Sequence, residues 1–137
     1  MKTRTGHFCL ALLLLILGIF LMGMGSAGSP GQTPVDSPFN AKIKDTTNNE
    51  VAVTSVTFDG KATFNVNMGK GRLEIPLEHI SRIEFKDGSA CATMKGSGPL
   101  CNLKTNSISK IYGKLPYGAY QISIKDVLSI ELTKAKQ

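Results

Sequence analysis

The stretch "GRLEIPLEHISRIEF" (Gly71–Phe85) places Ile75, Leu77, Ile80, Ile83 and Phe85 at steps of two, three, three and two. No regular period fits those steps. A helix begun at Leu73 would run through Pro76 and put Glu84 on its apolar face, and an interior proline costs a helix about 3 kcal/mol. A single strand fails too, because each odd step sends a side chain to the opposite face. A hybrid fits. One strand carries Ile75 and Leu77 inward, a single i, i+3 turn keeps Leu77, Ile80 and Ile83 on one side, and a second strand carries Ile83 and Phe85 inward. The pair Glu78-His79 then lies on the solvent side of the corner.

Forty-seven residues later, "GAYQISIKDVLSIEL" (Gly118–Leu132) repeats those steps with Ile122, Ile124, Val127, Ile130 and Leu132. Gly71 and Gly118, Ile75 and Ile122, Ile83 and Ile130, and Glu84 and Glu131 are identical pairs at that offset. The polar apex differs, with Lys125-Asp126 in place of Glu78-His79. Two tandem units are expected, over 39–86 and 87–133, followed by a tail over 134–137. Each is too short to bury a core alone, so the two are expected to pack together.

Between these stretches, runs rich in Val, Ile, Thr and Phe alternate with turn signals such as "DTTNNE", "FDGK", "KDGS" and "KGSGP" every 8–12 residues or so. That spacing predicts an all-β chain. The expected strands are 39–45, 51–58, 61–67, 71–77, 80–86, 89–95, 100–104, 108–114, 118–125 and 127–133. In "VAVTSVTF" (Val51–Phe58) simple alternation puts Val51, Val53, Ser55 and Thr57 on one face and Ala52, Thr54, Val56 and Phe58 on the other. A strand, one helical turn and a second strand resemble the last two strands of small SH3-like and Sm-like barrels. The expected architecture is therefore two tandem small β-barrel-like units of that type, or one continuous β-sandwich of about ten short strands. An N-terminal hydrophobic signal helix is expected to precede it.

The N-terminus supplies that helix. "MKTRTGH" carries Lys2 and Arg4, the run Phe8–Met22 is apolar apart from Gly18, and "GMGSAG" is small. These are the three regions of a secretory signal peptide, with cleavage expected after Ala27. An uncleaved inner-membrane anchor is the alternative, although the apolar run is short for a span. Residues 28–38, "GSPGQTPVDSP", read as a flexible linker. The expected location is periplasmic or secreted, with membrane contact only if the leader stays attached.

Export bears on the cysteines. Cys9 lies in the leader, leaving Cys91 and Cys101 flanking the turn signal "GSGP" (Gly96–Pro99). Two thiols across a hairpin in an oxidising compartment predict a structural disulfide. Their spacing differs from the Cys-X-X-Cys arrangement of redox-active pairs.

Candidate chemistry is sparse. Without Lys2 and Arg4 the chain keeps 14 cations against 10 carboxylates, a net charge of about +4. The lysines are scattered and there is no Trp, whereas nucleic-acid binding calls for a basic stripe with stacking aromatics. No nucleic-acid partner is expected. His79 is the one histidine after the leader and is expected at an exposed corner, which argues against a triad or a multi-histidine zinc site. Glu74 and Glu84 could face each other on neighbouring strands, but an outward role beside Glu131 fits better. Asp45, Asn48, Asn49 and Glu50 are oxygen donors without the spacing of a calcium loop, and a hairpin turn is expected there. No catalytic residue, metal or cofactor is assigned, and the chain is read as non-enzymatic. The stretch "YGKLPYGAY" gathers Tyr112, Pro116, Tyr117 and Tyr120 as a possible recognition loop, since amphipathic rings are common at interfaces. The alternative places Tyr120 in the core where the other unit has Leu73.

"GKGRLEIPLEHISRIEF" and "YGAYQISIKDVLSIEL" also resemble a motif of uncharacterised exported bacterial proteins. There a glycine, an apolar pair, a two-residue polar corner and an "I-x-x-I-E-F" ending recur, often near "K-D-G" as at Lys86-Asp87-Gly88. The resemblance spans about 95 residues. It implies a β scaffold and supplies no catalytic residue. The function expected is an exported non-catalytic β-module binding an envelope protein or cell-surface component. The alternative is a small ligand or lipid carrier, or a hydrolase, using a cavity between the two units.

Overall fold

The computed structural model describes residues 36–136. The expected leader, its signal helix and most of the linker lie outside the described residues, among which no helix is long and apolar enough to cross a membrane. The described chain is all-β. Its strands are β1 (Phe39–Asp45), β2 (Glu50–Phe58), β3 (Thr63–Met68), β4 (Gly71–Pro76), β5 (Ile80–Lys86), β6 (Ser89–Met94), β7 (Pro99–Lys104), β8 (Lys110–Leu115), β9 (Gly118–Ser123) and β10 (Val127–Lys134).

Both corners are single 3-10 turns, Leu77–His79 and Ile124–Asp126. Pro76 enters the first at φ −59° and ψ 137°, and Ser123 enters the second at −68° and 139°. Each turn closes when the first residue of the next strand donates its N–H, Ile80 to Leu77 O and Val127 to Ile124 O. The anchoring also corresponds. Leu77 N donates to Ala62 O at 3.2 Å and Ile124 N to Ser109 O at 3.0 Å, both pairs standing 47 residues apart. Leu77, Ile80 and Ile83 are fully buried, as the two-three-three-two spacing requires.

The ten strands form one antiparallel sheet in the order β4-β3-β7-β6-β5-β10-β1-β2-β8-β9. The two end strands, β4 and β9, do not pair with each other, so hydrogen bonding does not close the sheet. Only four hairpins, β1–β2, β3–β4, β6–β7 and β8–β9, pair within the stretches 39–86 and 87–133. Every other ladder joins one stretch to the other. The expected units are thus interleaved: β1 and β2 lie with β8, β9 and β10, whereas β6 and β7 lie with β3, β4 and β5.

Strand β2 departs from simple alternation. Ser55 takes φ 55°, and the β2–β8 register shifts between Thr54 and Thr57. This bulge resets the phase, so Val53, Val56 and Phe58 are all buried. Asn102 in β7 takes φ 60° at the position 47 residues on, and Leu103 after it is buried. An extra residue in the left-handed region re-aims a strand in this way.

Cys91 on β6 and Cys101 on β7 are disulfide-bonded across their hairpin, with Cα atoms 4.0 Å apart. The register shift between Ala90 and Ala92 falls at the bridge. Closing a loop this short stabilises the fold by about 2–3 kcal/mol in the chain-entropy picture.

The end of the expected linker is docked rather than free. Ser37 is buried, its N–H donates to Ser55 Oγ at 2.7 Å, and Asp36 pairs with Lys114. That ammonium holds the Asp36 carboxyl below its ordinary pKa through a hydrogen bond and charge attraction. The expected tail is likewise taken up: Lys134 pairs with Phe39, and Ala135 N donates to Pro38 O at 2.8 Å.

Candidate functional site

Strands β5 and β10 meet over three residue pairs only, Arg82 with Glu131, Ile83 with Ile130 and Glu84 with Ser129. Arg82 holds this short ladder on the exposed face, 2.8 Å from Glu131 and 3.2 Å from Glu84. Beyond Glu84 the pairing ends. Phe85 and Lys86 run into the turn Asp87-Gly88, whose φ values of 50° and 73° are both left-handed, as a two-residue hairpin of the primed type demands. On the other side β10 has only begun, at Val127 and Leu128, after the second corner.

A cleft of about 530 Å³ opens where the two strands part. Its apolar base comprises Phe85, Ile108, Ile124, Val127 and Leu128, and its polar margin includes Thr46, Lys86, Asp87, Ser89, Asn106 and Lys125. Ile108 and Val127 are buried, whereas Leu128 is 36% exposed. Each wall is tied within itself. The N–H and hydroxyl of Thr105 both donate to Gly88 O at 3.1 Å, and Thr46 N donates to Asp126 O at 2.9 Å. The four ion pairs among the described residues involve neither Lys86 nor Lys125. Two cations and one carboxylate, Asp87, therefore stand beside an apolar surface, and neither cation is held in an ion pair among the described residues.

The opposite end of the β5–β10 ladder is filled differently. Where the cleft has Thr105, the residue 47 positions earlier is Phe58, which is buried with its ring centroid 5.2 Å from that of Phe64. Leu128 has Ser81 as its counterpart, whose hydroxyl donates to Thr93 O at 3.0 Å. A cavity between the two units was the alternative expectation, but none of these lining residues was assigned to it. Its signal lay in the departures from the repeated spacing, at Thr105 and Leu128, rather than in the matches.

The tyrosines anticipated as one loop are not brought together. Cross-strand partners share a face, and Tyr112 pairs with Thr57 and Gln121 whereas Tyr120 pairs with Gly113. Tyr112 and Tyr120 are adjacent to opposite partners in register and so lie on opposite faces. Tyr117 stands at the β8–β9 turn after Pro116 and is 87% exposed. Tyr120 packs against the core, where burial, and then the Asp45 carboxylate, push its hydroxyl pKa upward.

Gly113 explains why a tyrosine fits there. A Cβ on it would lie 2.7 Å from Val53 Cβ and 2.8 Å from Val53 Cγ2. The bare backbone lets β8 approach β2, and the large Tyr120 side chain lies opposite. At the matching positions Val66 pairs with Leu73, a more even division of volume. Gly113→Ala is expected to destabilise the fold by about 1–3 kcal/mol through overpacking. Urea denaturation measures this, and an unchanged midpoint would mean that β2 yields without cost.

His79 is exposed at the first corner, 3.7 Å from Glu78. Glu74 and Glu84 do not face each other: β4 is an end strand and β5 is near the middle of the sheet. The Asp45 carboxylate is engaged within its own hairpin turn. It accepts from Thr47 N at 2.8 Å, Thr47 Oγ1 at 2.7 Å and Asn49 N at 3.0 Å. These bonds, that from the Thr47 hydroxyl foremost, lower its pKa. Among the described residues no group of three or more His, Cys, Asp or Glu side chains could hold a metal ion. No protein-family model, curated protein or solved structure matches the chain.

Proposed function

We propose that the chain is an exported, non-catalytic binding module whose seam cleft takes an extended segment of another envelope protein, one that carries both apolar and acidic side chains. The observation that carries this reading is the pairing of an apolar base with Lys86 and Lys125, neither held in an ion pair, on walls fixed by hydrogen bonds. Fixed walls favour binding because little freedom remains to be lost. An open cleft suits an extended chain better than a small lipid, which pockets normally enclose over most of its surface.

A fold reading accompanies it: two small SH3/Sm-like barrels, built by tandem duplication and interleaved. It is supported by the strand orders β5-β6-β7-β3-β4 and β10-β1-β2-β8-β9, each with a 3-10 corner before its β5 or β10. Export is supported by the signal-like N-terminal sequence, and the Cys91–Cys101 bridge is compatible with an oxidising compartment.

Fluorescence anisotropy of labelled Asp/Glu–Leu/Ile peptides against the purified chain tests the cleft. Binding is expected to weaken at least about tenfold in Leu128→Asp, which puts a like charge in an acidic peptide's path, and to weaken as salt is raised. Binding of a fatty acid with none of any peptide would transfer the cleft to the carrier reading. Binding of neither would remove both.

A further inference from the structure

Among the described residues the sheet has two free edges, and they are unequally protected. Strand β4 presents Arg72, Glu74 and Pro76 in alternation, and β9 presents Ala119, Gln121 and Ser123 at the matching positions. Charged residues and proline are the devices by which edge strands avoid pairing with other chains. The β4 edge has both, and the β9 edge has neither. Among the described residues the one ladder β9 makes is with β8, through which Leu115 pairs with Gly118 across a two-residue turn. Alternation from that pair directs the N–H and C=O groups of Ala119, Gln121 and Ser123 away from β8. Ala119 and Gln121 are exposed and Ser123 is half-buried, so the edge is accessible.

We propose that β9 pairs antiparallel with β9 of a second copy of this chain, about a two-fold axis at Gln121. The register is self-complementary, as an isologous contact requires. Gln121 faces Gln121 of the second copy, and Ala119 faces Ser123, so no charges meet on the outer face. On the core side Tyr120 faces Ile122, twice over. Both are half-buried against the core in the single chain, and an aromatic beside a β-branched residue is a favourable cross-strand pair. The β4 edge fails the same construction. Centred on Glu74, it would set two carboxylates against each other and place Pro76, which has no N–H to donate, opposite Arg72. The contact is one strand wide, so the dimer is concentration-dependent rather than permanent.

Disulfide trapping in the full chain carrying Cys9→Ser, so that no thiol other than the introduced one is left outside the Cys91–Cys101 bridge, tests the register. Gln121→Cys is expected to give a cross-linked dimer of twice the chain mass on non-reducing gels after mild oxidation, and Glu74→Cys is not. Sedimentation of the unmodified chain over a hundredfold concentration range is expected to show monomer passing to dimer. Gln121→Glu, which puts like charges at the axis, should raise the dissociation constant about tenfold or more. This substitution leaves the β8–β9 ladder intact, so the variant keeps its fold. A monomer at all concentrations, equal trapping through Glu74→Cys, or dimerisation unaffected by Gln121→Glu would each overturn the proposal. Trapping of Gln121→Cys to a protein of different mass would do so too, assigning the edge to another occupant.

Discussion

A chain cut between Lys86 and Asp87 is expected to yield two fragments that are each unfolded alone and that fold together when mixed. The cut falls in the tight turn between β5 and β6, yet it separates far more than two strands. The N-terminal fragment retains only the β1–β2 and β3–β4 ladders, and the C-terminal fragment only β6–β7 and β8–β9. All five remaining ladders span the cut. Isolated two-stranded hairpins are marginal in water, and a body of about 50 residues buries too little surface to compensate. Far-UV circular dichroism and amide spectra of each fragment, then of the mixture, read the result. A cooperative thermal transition in either fragment alone would refute the interleaved order.

Phe64→Ala is expected to cost about 3–5 kcal/mol, the range for a large aromatic removed from a packed interior. Phe64 is fully buried on β3. Its ring centroid lies 5.2 Å from Phe58 at the end of β2 and 6.2 Å from Phe85 on β5, the latter edge-on at 84°. Strand β2 belongs with β8 to β10, and β3 and β5 belong to the other group, so the triplet ties the two groups together where β2 crosses to β3. Urea denaturation of the variant gives the number, and a loss below about 1 kcal/mol would mean that the surroundings collapse onto the gap.

Local structure was readable from the residues, and long-range arrangement was not. The two-three-three-two spacing fixes side chains relative to their own backbone, and both corners form where it put them. All ten expected strands exist, with boundaries displaced by a residue or two, because turn chemistry such as Asp87-Gly88 is local. The bulges were hidden. Ser55 and Asn102 occupy left-handed backbone without being glycine, so alternation through "VAVTSVTF" read as unbroken. Strand order was hidden for a different reason: pairing of β2 with β8 or β3 with β7 depends on residues 35 to 60 positions apart, which no short window along the chain contains. The seam cleft inherits that difficulty, since Phe85, Thr105 and Leu128 become neighbours only through the order of strands. The tyrosines were close in sequence, but the period of two in β8 and β9 sends Tyr112 and Tyr120 to opposite faces.

The hydrogen bond from Ala135 N to Pro38 O, with Phe39 and Lys134 paired beside it, makes the folded polypeptide nearly a ring. The Phe39–Lys134 junction of β1 with β10 corresponds, at the 47-residue offset, to Lys86 and Asp87 at the turn between β5 and β6. The backbone before Pro38 and the backbone after Ala135 therefore join the sheet at one place, so a tether on either side acts on both.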